Sequence, residues 1–197
     1  MNTTRKKLQF ARSNSGSSAR HKYFGSSAME SIWSQDRVEK LIAAVHSRKY
    51  KRPRRRDDPV SAYGAGIDDA FDKALKAFSG LGLRGAVLGS QTLRLEATLL
   101  AYGAKHVDTI EYGEIVSRHP KISTLRPTEA YAKFLNKTHV PYDFIASFSS
   151  VELSGMGRYG DPMNPVADIE AVAAMSCLVK KGGRMFLGVP DTSRVHE

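Results

Sequence analysis

RGAVLGSQTLRLEATLLAYGAKHVDTIEY, residues 84–112, is the stretch that decides the fold. It opens on a short apolar strand, 85–89, with Gly89 at its end. Ser90, Gln91 and Thr92 read as a turn, and 92–102 has the apolar spacing of a helix closed by Gly103. A second strand, 106–111, follows at once. A strand, a helix of this length and a second strand predict two parallel strands joined by a crossover.

The alternation continues on both sides. Downstream, 121–125 reads as a third strand, and Pro127 opens a helix over 128–136 from the first-turn position that tolerates it. A fourth strand spans 142–148. A long apolar helix over 165–179 carries Lys180 and Lys181 in its last turn, Gly182 and Gly183 stop it, and 184–189 is a fifth strand. Upstream, Ile67, Ala70, Phe71, Ala74, Leu75 and Phe78 share one helical face, which Gly80 and Gly82 end. The fold class is α/β: a Rossmann-like, doubly wound, mostly parallel sheet of about five strands.

Charge divides the chain in two. Residues 1–60 hold 15 Lys/Arg against 5 Asp/Glu, whereas residues 61–197 hold 15 of each, so the net +10 belongs to the N-terminal segment. That partition argues against a nucleic-acid-binding reading of the α/β part. Residues 1–28 are rich in Ser and Arg, contain no acid and offer few large apolar groups, so they are expected to be disordered. Such a composition also fits an organellar transit peptide, although the Ser-Gly stretch 13–18 interrupts its helix. From Val38 the spacing of Val38, Leu41, Ile42 and Val45 predicts a short helix with Ser34 as N-cap. The basic run 49–56 reads as a solvated linker, with a nuclear address or a phosphate-binding patch as the functional alternatives. Asp57-Asp58-Pro59 marks a boundary, which divides the chain into a basic, largely disordered 1–60 and an α/β domain over 61–197.

No apolar run reaches the 18 or so residues that span a bilayer, so no membrane span is expected and an intracellular, mainly cytoplasmic protein is. The one cysteine, Cys177, excludes an intrachain disulfide and a thiolate metal cluster, and its apolar setting predicts a core thiol. The six histidines form no ligand spacing, and no G-x-S-x-G elbow is present.

In sheets of this kind ligands bind beyond the carboxyl ends of the strands. The candidate cofactor-binding residues are therefore Gly89, Ser90 and Gln91 after the first strand, where a glycine and free N–H groups admit a nucleotide-type ligand. Ser90 or Thr92 is a candidate cap for the helix that follows. Glu111 ends the second strand 22 residues after Gly89, the spacing at which an acid meets ribose hydroxyls, with Tyr112 beside it to stack on a base. The loop 147–161, SFSSVELSGMGRYGD, is long and punctuated by glycines. In it Ser149 is a candidate ligand contact, and Glu152 and Asp161 are the candidate catalytic acids. Residues 188–190 are expected to wall the pocket. The lack of G-x-G-x-x-G argues against a nicotinamide-dependent oxidoreductase.

The segments GSQTLRLEATLLAYGAKHVDTIEY, HPKISTL, SSVELSGMGRYGDPMNP and KKGGRMFLGVP resemble the Caenorhabditis protein of unknown function family over roughly residues 70–190. Its members look like class I S-adenosylmethionine-dependent methyltransferases. The resemblance implies an S-adenosylmethionine-binding, methyltransferase-like protein of unknown acceptor, with Glu111 on the ribose and Gly89, Ser90 and Gln91 near the methionine moiety. Three features depart from that pattern. The first loop carries Gly89 in place of an acidic, triple-glycine signature, and Leu153 stands where a histidine is expected. The chain also runs only seven residues past Pro190, so the C-terminal strands of a full methyltransferase sheet are expected to be absent. The alternative reading is a catalytically inactive member that works as a binding module, its basic N-terminal segment meeting an acidic partner.

Overall fold

The computed structural model describes residues 31–46, 65–77, 82–90, 92–157 and 161–189. The expected disorder of 1–28, the basic run 49–56, Gln91, Arg158, Tyr159 and Pro190 lie outside the described residues.

Chain order is β1 (Ser31–Trp33), α1 (Gln35–His46), α2 (Ala65–Ala77), β2 (Arg84–Leu88), α3 (Arg94–Ala101), β3 (His106–Ile110), β4 (Ile115–Ser117), β5 (Ile122–Leu125), α4 (Pro127–Leu135), β6 (Tyr142–Phe148), a 3-10 turn (Val151–Leu153), α5 (Ala167–Leu178) and β7 (Val179–Gly188). Five strands form one sheet in the order β5-β3-β2-β6-β7, with every neighbouring pair parallel. The chain starts at the centre on β2, winds outward through β3 to β5, then returns to β6 on the other side of β2. This is the Rossmann-like, doubly wound arrangement, and the order reverses between β2 and β6.

Both faces of the sheet are covered. Phe71 and Leu75 of α2 and Leu99 of α3 pack with Val87, Val107, Phe144 and Ala146 on one face. Ala130 of α4 and Met175 and Leu178 of α5 pack with Ala86, Ile110 and Ile145 on the other. Alternation along the strands divides the side chains in this way: Val107 faces α3, and Ile110 faces α4 and α5.

The amino ends of the central strands are tied by a polar cluster. The buried Asp108 of β3 accepts the Tyr142 hydroxyl of β6 at 2.7 Å and the Arg84 guanidinium of β2. Arg84 also lies 4.6 Å over the Tyr142 ring. Burial, then the Asp108 charge, pushes the Tyr142 phenol well above its ordinary value, so it stays a donor. Ser123, His106 and Asp108 have the composition of a catalytic triad but not its geometry. Both contacts, 2.9 Å to Ser123 Oγ and 3.1 Å to Asp108 Oδ1, fall on His106 Nε2, so the ring cannot relay a proton between them.

Ser34 does cap α1, accepting the Arg37 N–H at 3.3 Å. Before it, Ile32 lies on β1, which pairs in parallel with β4, and neither strand is visible in the sequence pattern. Trp33 and Val38 are buried against Leu93, Ile115 and Ile122, so residues 31–46 pack on the flank of the α/β core. His119 Nδ1 accepts the Lys121 N–H at 3.2 Å, which leaves its Nε2 to donate to Glu39 of α1 at 3.1 Å.

Two expectations fail near the C-terminus. The helix ends at Leu178, and Lys180 to Gly183 form an irregular start to β7 in which Tyr142 pairs Val179 and Phe144 pairs Arg184. Gly182 is left-handed, with φ +78°, and a Cβ at Gly183 would meet Val179 at 2.7 Å, so the glycines serve the bulge and not a helix stop. Cys177 is exposed. Met175 and Leu178 are buried, whereas Cys177 lies at the edge of the same stripe of the helix, three positions after Ala174. Among the described residues no helix is long and apolar enough to cross a membrane.

Candidate functional site

The carboxyl ends of β2, β3 and β6 converge on a cavity of about 760 Å³. Gly89, Ser90, Glu111, Tyr112, Ser149 and Asp161 line it; Glu152 does not. Thr92, Arg94, Phe71 and Phe148 add to the wall on the α2–α3 side, and Ala130, Tyr131, Ala171 and Met175 extend it between α4 and α5. The opening sits where the strand order reverses, as the fold requires of a ligand crevice.

Gly89 leaves β2 with φ +71°, and a Cβ there would lie 1.6 Å from Ser150 Oγ. Only glycine fits, so backbone and not side chain forms this floor. Ser147 Oγ donates to the Leu88 carbonyl at 2.8 Å and locks the ends of β2 and β6 together. Ser149 is left-handed at φ +48°, its N–H bonds the Gly188 carbonyl at 2.7 Å, and its hydroxyl donates to Glu152 Oε1 at 2.8 Å. A non-glycine residue in that region is a strained position of the kind concentrated at functional sites. Glu152 thus meets the cavity wall through Ser149, and its other oxygen is buried without a hydrogen-bond partner among the described residues.

Glu111 is 8% exposed and held by three backbone donors. Oε2 accepts the Ser90 N–H at 2.8 Å; Oε1 accepts Tyr112 N–H at 2.8 Å and Gly113 N–H at 3.3 Å. Burial raises its carboxyl above the ordinary range, these three bonds pull it down, and the Asp161 charge adds to the rise. Asp161 is buried and accepts the Gly157 N–H at 3.1 Å. The Tyr112 phenol, raised by burial and by the charges of Asp161 and Glu111, stays neutral beside them. Glu111, Tyr112 and Asp161 are therefore electrostatic neighbours on the cavity wall, which Ser149 also lines.

Neither Ser90 nor Thr92 caps α3. The N-cap is Leu93, left-handed at φ 63°, whose hydrocarbon side chain has no atom to cap with and is buried in the cluster with Trp33. Ser90 is instead spent on acids: its N–H goes to Glu111 and its hydroxyl to Glu96 Oε2 at 3.0 Å. Glu96, fully buried, also accepts the Thr109 hydroxyl at 2.9 Å. Sequence reasoning missed Glu96 because an acid in a helix's first turn is ordinarily solvated. The signal was its place on an apolar stripe with Leu99 and Leu100. Among the described residues no group of His, Cys, Asp and Glu could hold a metal ion.

Solved structures with some likeness include HcgC from Methanococcus maripaludis, crystallised with SAH and pyridinol, at 12% identity and a TM-score of 0.34 over 59% of this chain and 40% of that one. The dehydroquinate dehydratase and shikimate dehydrogenase of S. pombe AroM matches at 16% and 0.37, over 62% of this chain and 23% of that one. Shikimate dehydrogenase 1 from Peptoclostridium difficile matches at 13% and 0.35, over 64% and 49%. The chain thus spans less than half the length of each of these structures. The search of curated proteins returns no match. Residues 82–194, more than half of the sequence and all of the strands that build the cavity, match the model of Caenorhabditis protein of unknown function, DUF268, and the chain belongs to that family.

Proposed function

We propose that this protein binds S-adenosylmethionine at the carboxyl ends of β2 and β3 and is methyltransferase-like, with an acceptor still to be found. The observation that carries the reading is Glu111: a buried carboxylate on the cavity wall, oriented by three backbone N–H groups, one strand away from a glycine that keeps side chains off the floor. Oε2 uses one acceptor direction on Ser90 and keeps one for a ribose hydroxyl, and the long Gly113 contact on Oε1 is the one a second hydroxyl displaces. The residues present fit a nucleoside diol.

Tyr112 offers a ring face beside that acid for the base. Gly89 and Ser90 bring backbone close to the rest of the ligand, with Gln91 next in the chain. When bound, the cofactor supplies an electrophilic methyl group, and transfer needs chiefly alignment of donor and acceptor. Where the acceptor atom carries a proton, Asp161 is the acid placed to take it, since it lines the cavity and Glu152 is turned to Ser149.

The test is calorimetric titration of S-adenosylmethionine and S-adenosylhomocysteine into the chain and into Glu111→Ala. Saturable binding by the parent chain, weakened about tenfold or more in the variant, is expected from the loss of charge-assisted hydrogen bonds. No binding by a chain shown by circular dichroism to be folded overturns the reading, and salt-sensitive binding of residues 1–60 to an acidic polymer then becomes the activity to pursue.

A further inference from the structure

Glu96 is the most deeply buried acid in the described structure, and nothing in the proposed chemistry uses it. Its exposure is 0%, it sits in the first turn of α3, and it does not line the cavity. Two side-chain donors meet it: the Ser90 hydroxyl on Oε2 at 3.0 Å and the Thr109 hydroxyl on Oε1 at 2.9 Å. Among the described residues no cation pairs with it. A leucine of similar volume would fill this place without the desolvation that a buried carboxyl suffers. An acid retained there is explained by what it holds.

What it holds is the ribose acid's surroundings. Ser90 has two arms, one to each carboxyl: its hydroxyl bonds Glu96, and its N–H bonds Glu111 Oε2 at 2.8 Å. Thr109 lies on β3 two residues before Glu111, on the face turned to α3. Glu96 therefore pins the turn in front of Glu111 and the strand that delivers it to a single point on α3. We propose that Glu96 is a positioning residue for the cofactor site, acting through Ser90 and Thr109 to keep Glu111 and the Gly89–Ser90 turn in the arrangement that receives the ligand. The inference rests on the functional reading above. It predicts that a residue touching no ligand governs affinity.

The experiment compares the parent chain with Glu96→Ala, Glu96→Gln, Ser90→Ala and Glu111→Ala by calorimetry with S-adenosylhomocysteine, each variant checked by thermal unfolding. Glu96→Ala is expected to weaken binding about tenfold, whereas Glu96→Gln, whose amide still bonds both hydroxyls, stays within about threefold of the parent. Ser90→Ala reproduces part of the loss, and the double variant Ser90→Ala/Glu96→Ala loses less than the sum of the two. Parent-like affinity in Glu96→Ala, alongside loss in Glu111→Ala, overturns the proposal and leaves the functional reading intact. Should Glu96→Ala fail to fold, Ser90→Ala with parent-like affinity overturns it equally. A folded parent chain that binds no S-adenosylhomocysteine overturns the functional reading instead. The positioning role is then decided by amide NMR, because the Ser90, Tyr112 and Gly113 resonances move in Glu96→Ala if Glu96 holds them and stay in place if it does not.

Discussion

Gly89 carries two independent constraints, a left-handed backbone and a neighbour, Ser150 Oγ, where a Cβ would go. Gly89→Ala is expected to cost about 1–3 kcal/mol from the backbone conformation and the forced shift of Ser150. Denaturant unfolding of Gly89→Ala and of Gly89→Ala/Ser150→Gly separates the two, since the second variant relieves only the contact. At this scale the sequence was informative where position along a strand is enough. Gly89, Ser90 and Glu111 follow from strand ends and spacing, and the structure places all three on one cavity. It was silent where burial of a polar group depends on tertiary packing. Glu96 and Thr109 look like surface residues until α3 is laid on β3, and Glu152 looks like a cavity acid until the 3-10 turn directs it to Ser149.

Elements of four or more residues with clear periodicity were legible: β2, β3, β5 and β6, and the helices within a residue or two at most ends. β1 and β4, three residues each, are too short to show a period of two, and each exists only because the other pairs with it. The tie at the amino ends of β2, β3 and β6 was equally hidden, since Arg84, Asp108 and Tyr142 are far apart in sequence. Arg84→Met leaves Asp108 buried with the Tyr142 hydroxyl and the His106 ring but no permanent cation. A loss on the order of 2 kcal/mol is expected by urea unfolding, below the full cost of breaking a buried pair because Arg84 is a third exposed. Trp33 is the anchor of the β1–α1 unit, and Trp33→Ala is expected to cost about 3–5 kcal/mol in the same assay. Trp33→Phe should cost far less, because the indole N–H it removes has no partner among the described residues.

For the molecule as a whole, the pH dependence of stability follows from acids held above their ordinary range. Glu96 and Glu111 are both raised from 4.5, chiefly by burial. Protonated in the folded state at a pH where the unfolded chain has released its proton, each contributes stability that is fully present below about pH 4.5 and is lost as pH rises through its folded value. The unfolding midpoint of Glu96→Gln measured against the parent across this range should therefore climb as pH increases; a constant difference would show that Glu96 titrates as an ordinary acid. The alternation of strands and helices made the doubly wound sheet legible from the sequence, because each crossover is nearly continuous in the chain. The β1–β4 contact is different in kind. Ser31 meets Ile115, 84 positions later, after β2, α3 and β3 have been laid down. During synthesis β1 must wait, unpaired, until β2, β3 and β4 have left the ribosome. Closing so long a loop is slow and gains little until the last contacts form. The β1–α1 unit is thus a latch that cannot close until the first two strands of the sheet, β2 and β3, and then β4 have been made.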